Sequence, residues 1–205
     1  MRCAGTHVSA VSPVNTPGHA VLNLVLLGAT KEPRRAAPVL VGAVLPDLPI
    51  VVLYAYERLR GMPEAWIWRT AYYDPRWQAA IDALHSFPLI LAVLAAAVLF
   101  GWPRLGLICA SMLLHAAVDF FLHHDDAHRH FFPILEWRFA SPVSYWDPRY
   151  FGNVMAPAEA IGVVAACLLI ARTTPLRSVR WVVAAIALLY LAFLAFALHT
   201  WVEHS

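Results

Sequence analysis

Six apolar segments set the predicted architecture of this chain. They lie at about 17–29, 36–56, 79–100, 104–123, 156–172 and 179–201. The last four have the roughly 20 residues that a helix needs to cross the hydrocarbon core of a bilayer. The pattern predicts an all-α, polytopic membrane helix bundle with five or six apolar segments and two long outer connections.

The two N-terminal segments are less regular than the others. Segment 17–29 is short and opens with Thr16 as an N-cap and Pro17 at the first helical position, which predicts a partial span or an interfacial helix. Segment 36–56 contains Pro46, Asp47 and Pro49, and its prolines remove backbone donors. We therefore expect a kink or a break around Asp47, with a carboxylate inside it.

The connections differ in length and charge. Those at 30–35, 101–103 and 173–178 are short, whereas 57–78 and 124–155 are long and aromatic. If every segment crosses the membrane, one side collects the basic residues Lys31, Arg34, Arg35, Arg104, Arg172, Arg177 and Arg180. The positive-inside rule makes that side cytoplasmic. The sequence thus predicts an integral membrane protein with its short connections in the cytoplasm.

Composition supports the membrane assignment. Of the 205 residues, 60% are hydrophobic and 14% are charged, with a mean hydropathy of +0.61, whereas an ordinary soluble domain has about 25% charged residues. Membrane lipid is therefore an expected partner. The net charge of +2, with no Lys/Arg-rich block, gives no reason to expect a nucleic-acid partner. The oligomeric state stays open.

A dense group of histidines and aspartates directly continues the fourth apolar segment. Five histidines and three aspartates lie between His115 and His130. Ionisable residues at the edge of a hydrocarbon layer are costly, so this density predicts a functional site. His115, Asp119 and His123 are spaced i, i+4, i+8, which places them along one stripe of a helix.

Other candidate ligands converge on the same end of the bundle. With alternate crossings, His19 and His85 lie towards the outer face, near the His115 stripe, and Asp47 lies in the predicted break. Imidazole and carboxylate suit Zn²⁺, and also Mn²⁺ or Fe²⁺, and Asp47 and Asp119 could bridge a pair of ions. The alternative is that His115 and Asp119 only satisfy each other inside the bundle. Past the helix, His124, His128 and His130 are either ligands or exposed histidines.

The stretch after the fourth segment offers further candidates. Asp125 and Asp126 form either a solvated helix-ending turn or a general base. Arg129 and Arg138, with Arg149, could fork onto a phosphate. They could equally meet lipid headgroups or pair with the nearby acids Asp126, Glu136 and Asp147.

Four short motifs carry a resemblance to a known family. They are Thr16-Pro-Gly-His19, Gly42-Ala-Val-Leu-Pro-Asp47, Leu84-His85-Ser86 and Leu114-His115-Ala-Ala-Val-Asp119. In this order they resemble a bacterial family of membrane-bound, metal-dependent hydrolases, over about residues 15–135. That family is in turn similar to the all-α zinc-dependent phospholipase C and single-strand nuclease group.

The resemblance implies a set of ligands. Its members would be His19, Asp47, His85, His115 and Asp119, and one of His123, His124 or His128 would complete a second ion. Asp119 is the best candidate for a bridging carboxylate. The chain departs from the secreted enzymes in lacking an N-terminal tryptophan, so a third ion is not expected. We expect one membrane-embedded domain over 1–205, with the metal-site region at about 15–135 and C-terminal helices at about 156–201.

These observations predict a hydrolase that cleaves a phosphoester with metal-activated water. A divalent ion, with zinc preferred, lowers the pKa of bound water towards about 7. Asp125 or Asp126 would act as general base, and Arg129 and Arg138 would bind the substrate. A site at headgroup depth favours a phospholipid or a lipid-linked phosphate. The alternatives are a non-catalytic metal-binding permease or sensor, a haem protein ligated by His85 and His115, and a structural protein.

Overall fold

The computed structural model describes residues 15–204, and within them it contains helices and connections but no strand. The helices are α1 (Asn15–Leu26), α2 (Pro33–Val44), α3 (Leu48–Leu59), α4 (Glu64–Arg69), α5 (Pro75–His85), α6 (Phe87–Leu99), α7 (Pro103–Leu122), α8 (Gly152–Thr173) and α9 (Arg177–His204). The predicted all-α fold is confirmed.

Several of these helices could cross a membrane. Four stretches of the described chain are long and apolar enough: Pro33–Leu59, Pro103–Leu122, Gly152–Thr173 and Arg177–Phe196. A fifth is possible if α5 and α6, which bend by 48° at their junction, count as one broken span. The structure therefore supports a membrane protein.

Segment 79–100, predicted to be long enough for a span, is divided into two helices in the structure. Helix α5 ends at His85, and Ser86 caps α6 by accepting a hydrogen bond from the Leu89 amide at 3.2 Å. The cause lies two residues further on, where Pro88 lacks an amide proton and its ring would clash with the Leu84 carbonyl in a continuous helix. The break leaves His85 at the end of a helix, inside the molecule.

The predicted break around Asp47 is confirmed. A short 3₁₀ turn, Leu45–Asp47, separates α2 from α3. Pro46 and Pro49 both lie at the start of a helical segment, where the missing amide proton removes no hydrogen bond. Thr16, predicted as the N-cap of α1, lies inside that helix instead and donates its hydroxyl proton to Asp47 Oδ2.

Helices α2 and α7 pack side by side in the same direction. The Ser111 hydroxyl of α7 donates to the Val39 carbonyl of α2 at 2.6 Å, deep inside the bundle. The helices approach closely because of Gly42, where a Cβ atom would lie 2.3 Å from the Ile108 carbonyl oxygen. Helix α1 runs antiparallel to α7, and its Asn23 amide donates to the Ser111 carbonyl at 2.8 Å.

The three short connections lie at one end of the bundle. They join α1 to α2, α6 to α7, and α8 to α9. The first and third are in contact, because the Thr174 hydroxyl donates to the Thr30 carbonyl. The basic residues of these connections therefore share one end, and Asp47, His85 and the last turns of α7 lie towards the other.

A second, smaller core supports the break. Helices α3, α4 and α5 pack around Leu53, Ile67 and Ile81, each of which is fully buried. This core holds α5 against the 3₁₀ turn that carries Asp47.

Candidate metal centre

Two overlapping groups of histidine and aspartate side chains meet at the end of the bundle opposite the short connections. The first contains Asp47, His85, His115 and Asp119. The second contains Asp119, His123 and His128. In each group the potential ligand atoms lie within 4.8 Å of one another. Either group could hold a metal ion, and Asp119 belongs to both.

The first group has the dimensions of a metal site. Asp119 Oδ2 lies 3.0 Å from His115 Nε2 and 3.2 Å from His85 Nε2. Asp47 Oδ1 lies 3.5 Å and 3.7 Å from the same two nitrogens. Four ligands held tetrahedrally at about 2.0–2.1 Å from an ion are about 3.3 Å apart. The observed separations bracket that value.

Main-chain carbonyls fix the orientation of both imidazoles. His85 Nδ1 lies 2.8 Å from the Ile81 carbonyl, and His115 Nδ1 lies 2.8 Å from the Ala43 carbonyl. A carbonyl only accepts, so each Nδ1 carries a proton, and Nε2 is the nitrogen that each ring directs at the group. Among the described residues, neither Nε2 atom has a hydrogen bond of good geometry.

The second carboxylate oxygen of Asp119 faces the other group. Asp119 Oδ1 lies 2.9 Å from His19 Nε2 and 3.5 Å from His123 Nε2. The His128 ring packs between the rings of His85 and His123, at centroid distances of 4.1 Å and 5.2 Å. Each oxygen of Asp119 therefore has its own set of imidazoles, which is the arrangement of a bridging carboxylate.

Seven of the eight predicted metal ligands lie together in this centre. They come from α1, the 3₁₀ turn, α5, α7 and the connection that follows α7. They are His19, Asp47, His85, His115, Asp119, His123 and His128.

His124 is the predicted ligand that does not join them. Its Nδ1 lies 2.6 Å from the Ser141 carbonyl, and its ring stacks on Tyr150 at a centroid distance of 3.5 Å. Helix α7 ends at Leu122 and His123 is extended, so successive side chains point to opposite sides. His123 therefore faces the centre and His124 faces away.

Asp126 supports a ligand and is not free to act as the predicted general base. Its Oδ2 lies 2.8 Å from His123 Nδ1 and accepts a hydrogen bond from Trp146 Nε1 at 3.1 Å. Burial acts to raise the pKa of Asp126, but the His123 imidazole holds that pKa below its usual value. Burial acts to lower the pKa of His123, but Asp126 and Asp119 hold it well above its usual value. An acid that orients a ligating histidine in this way is common around metals.

Asp125, the other predicted general base, lies on the surface. Its carboxylate is 49% exposed and contacts the Arg149 guanidinium at 2.6 Å. It belongs to neither ligand group.

His128 and His130, in the connection after α7, are both buried, and burial lowers the pKa of each. Burial, together with the neighbouring His85 and His123, holds the pKa of His128 well below its usual value. Burial also lowers the pKa of His130 to about 4. A neutral His128 has a lone pair available for an ion.

In the structure, Arg129 and Arg138, which the sequence suggested as phosphate-binding residues, pair with other groups of the protein. Arg129 Nε lies 2.5 Å from Asp82 Oδ2, and its guanidinium also pairs with Glu136. Arg138 contacts the Gln78 side chain at 2.9 Å and the Ala127 carbonyl at 2.6 Å. Both guanidinium groups are engaged within the protein. The alternative of nearby acidic partners is confirmed for Arg129 with Glu136 and for Arg149 with Asp147.

Sequence reasoning missed several residues around the centre. Thr16 bonds Asp47, Tyr145 packs its ring on that of His123 at 5.1 Å, and Asp82 and Trp146 anchor the connection after α7. Asp82 carried the clearest signal, because it precedes His85 by three residues and so shares a face of α5.

The centre is most open at Asp47. The Asp47 side chain is 16% exposed, against 8% for His123 and 2% or less for His19, His85, His115 and Asp119. A ligand entering the first group from outside would therefore arrive beside Asp47.

No protein-family model matches the chain, and no curated protein or solved structure matches it either. The resemblance to membrane-bound hydrolases therefore stays a prediction.

Proposed function

We propose that this protein is a metal-dependent membrane hydrolase that cleaves a phosphoester, either a phospholipid or a lipid-linked phosphate. The observation that carries the proposal is the position of Asp119, whose two oxygens face separate imidazole sets at 2.9–3.5 Å. A pair of divalent ions bridged by a carboxylate is a recurring arrangement in phosphoester hydrolysis. Zinc suits the ligand set best, with manganese or iron as alternatives.

The residues of the centre would divide the work among them. Bound ions would polarise a phosphoryl oxygen and acidify a water molecule. His85, His115 and Asp47 would hold one ion, and His123 and His128 the other. The carboxylates of Asp47 and Asp119 contribute two negative charges, so two divalent ions leave a net positive centre that attracts a phosphate. No arginine is needed for that attraction.

The proposed orientation follows from charge. The basic end of the bundle, with Lys31, Arg34 and Arg35, faces the cytoplasm by the positive-inside rule. The centre at the other end would then lie towards the outer face of the bacterial inner membrane, at headgroup depth. A substrate anchored by its lipid chains would bring its phosphate to that level.

A non-catalytic metal-binding permease or sensor is the second candidate. One observation favours it. Asn23 and Ser111 form a buried polar contact one helical turn from His19 and His115, on the side of the basic end. Towards the basic end, the fully buried residues Leu24 and Ala29 are apolar, which argues against a polar path to that side.

The test is product release from the purified, metal-loaded protein. We expect hydrolysis of one member of a panel of phospholipids and lipid-linked phosphates, with loss of at least 100-fold in Asp119→Ala, which removes a group that would act on the ions throughout the reaction. His124→Ala is the matched control, because its imidazole faces the Ser141 carbonyl, and it should retain the activity. Stoichiometric metal without any product would support the permease or sensor instead.

A further inference from the structure

Helix α5 supplies a candidate ligand to the centre and also contacts the connection that follows α7. His85 ends the helix and belongs to the first ligand group. One turn and two turns earlier, Asp82 and Gln78 face the connection that follows α7. That connection supplies His128 to the second group. The two groups therefore share a helix as well as Asp119.

Asp82 binds Arg129, the residue directly after His128. Its side chain is fully buried, and its two oxygens accept from the main-chain amide of Arg129 at 2.9 Å and from Arg129 Nε at 2.5 Å. A buried carboxylate paired with an arginine and a backbone amide holds its partners firmly, because separation would leave a charge without compensation.

Gln78 holds the chain on the other side of His128, through Arg138 and the Ala127 carbonyl. Its side-chain oxygen accepts from Arg138 at 2.9 Å, and Arg138 donates in turn to the Ala127 carbonyl at 2.6 Å. Residues 127 and 129 are thus both tied to α5. The chain is fixed again at His130, whose carbonyl accepts from the Phe87 amide at 2.8 Å.

His128 depends on these neighbours for its position. Its ring is buried among His85, His123 and His130, and its Nδ1 has no hydrogen-bond partner in the described part of the chain. His85 and His115, by contrast, are each oriented by a carbonyl. The position of His128 therefore depends on the packing of its ring and on the backbone to either side.

We propose that Asp82 is a positioning residue for the second metal ion, acting through Arg129 to seat His128. Gln78 and Arg138 assist from the other side. The inference rests on the metal centre of the proposed function, but it is independent of whether the centre catalyses hydrolysis. It also gives Arg129 and Arg138 a role in place of substrate binding.

Asp82→Asn tests this inference in the full-length protein. The substitution keeps the volume and removes the charge that holds Arg129 Nε. Zinc would be titrated against a chromophoric competitor, and cobalt-loaded protein would be followed by its visible absorption. We expect wild type to bind two ions and Asp82→Asn to bind the second about 10- to 100-fold more weakly, as for partners that orient ligating histidines. The cobalt bands of the first ion should be unchanged.

Glu57→Gln is the matched control. It removes another buried carboxylate that pairs with an arginine, Arg60, at 3.1 Å. Glu57 lies ten residues beyond Asp47 on α3, about 15 Å along the helix, so both ions should bind as in wild type. If Asp82→Asn fails to fold, Arg138→Gln replaces it, because it frees the Ala127 carbonyl and leaves Asp82 in place. The second ion should weaken there too.

Several results would overturn the inference. Wild-type affinity for both ions in Asp82→Asn and in Arg138→Gln would do so. Weakening of both ions together would also do so, because it indicates a general structural role. Binding of fewer than two ions by the wild type would show that the second ligand group does not hold an ion. Wild type with two ions and no product would contradict the proposed hydrolysis alone, and the positioning role of Asp82 would stand.

Discussion

A single carboxylate, Asp119, organises the centre, and its neighbours decide how each imidazole is aimed. Two histidines are aimed by main-chain carbonyls and His123 by Asp126 at 2.8 Å. In the candidate centre, each of these three histidines is therefore paired with a group that would not itself bind an ion. Loss of such a group should weaken binding without removing a ligand.

We predict that Asp126→Asn lowers the affinity of the second ion by about 10- to 100-fold, because an amide holds the His123 ring less firmly than a carboxylate. Competition titration with zinc measures the effect. The adjacent Asp125→Asn is the control, since Asp125 contacts the exposed Arg149 and not the centre. Equal affinities in the two variants would show that Asp126 does not orient His123.

At this scale the sequence predicted the candidate ligands that lie on a regular helix. The i, i+4 spacing of His115 and Asp119 is a property of the helix, so it is readable along the chain. The choice between His123 and His124 was not, because it depends on where α7 ends and becomes extended. The partners of Arg129 and Arg138 were also hidden, since Asp82 and Gln78 lie more than 40 residues earlier.

At the scale of elements, helix breaks bring the candidate ligands together. The 3₁₀ turn places Asp47 beside α7, and the end of α5 places His85 there. The first break was predictable because Pro46 precedes Asp47 directly and Pro49 follows it two residues later. The second was overlooked because Pro88 lies within a long apolar run, whose hydrophobicity favours a span whatever its local geometry.

Close packing of α2 on α7 should be necessary for the first ligand group. We predict that Gly42→Ala lowers the free energy of unfolding by about 1–3 kcal/mol, because the new Cβ would lie 2.3 Å from a backbone oxygen. Thermal unfolding in detergent measures the change. The control is Gly162→Ala in α8, where a Cβ would meet no atom within 4 Å, and this variant should be as stable as wild type or slightly more so. Equal stability of the two variants would contradict the close contact.

At the scale of the whole molecule, the separation of basic connections from the metal centre gives the bundle two distinct ends. The length and apolarity of the spans made the membrane assignment readable from sequence. From the sequence, the meeting of candidate ligands from distant stretches followed only from the assumption that successive segments cross in alternate directions. In the structure, the side-by-side packing of α2 and α7 brings two of these stretches together.

The proposed orientation predicts opposite labelling of the two ends. In a Cys3→Ser background, a membrane-impermeant thiol reagent added to intact cells should label Ile134→Cys, which is 70% exposed beyond α7. It should not label Lys31→Cys in the connection between α1 and α2. The native Cys109 and Cys167 are buried and should stay silent. Labelling at position 31 but not at 134 would reverse the assignment of the centre to the outer face.

The most direct test of the central claim is elemental analysis of the purified protein beside His115→Ala and Asp119→Ala, under metal-replete, chelator-free conditions. We predict about two equivalents of a divalent transition metal in wild type, a reduced content in His115→Ala, and almost none in Asp119→Ala, whose carboxylate belongs to both groups. Equal and negligible zinc, manganese and iron in all three proteins would contradict the account. The buried histidines and aspartates would then be ion pairs that satisfy only one another.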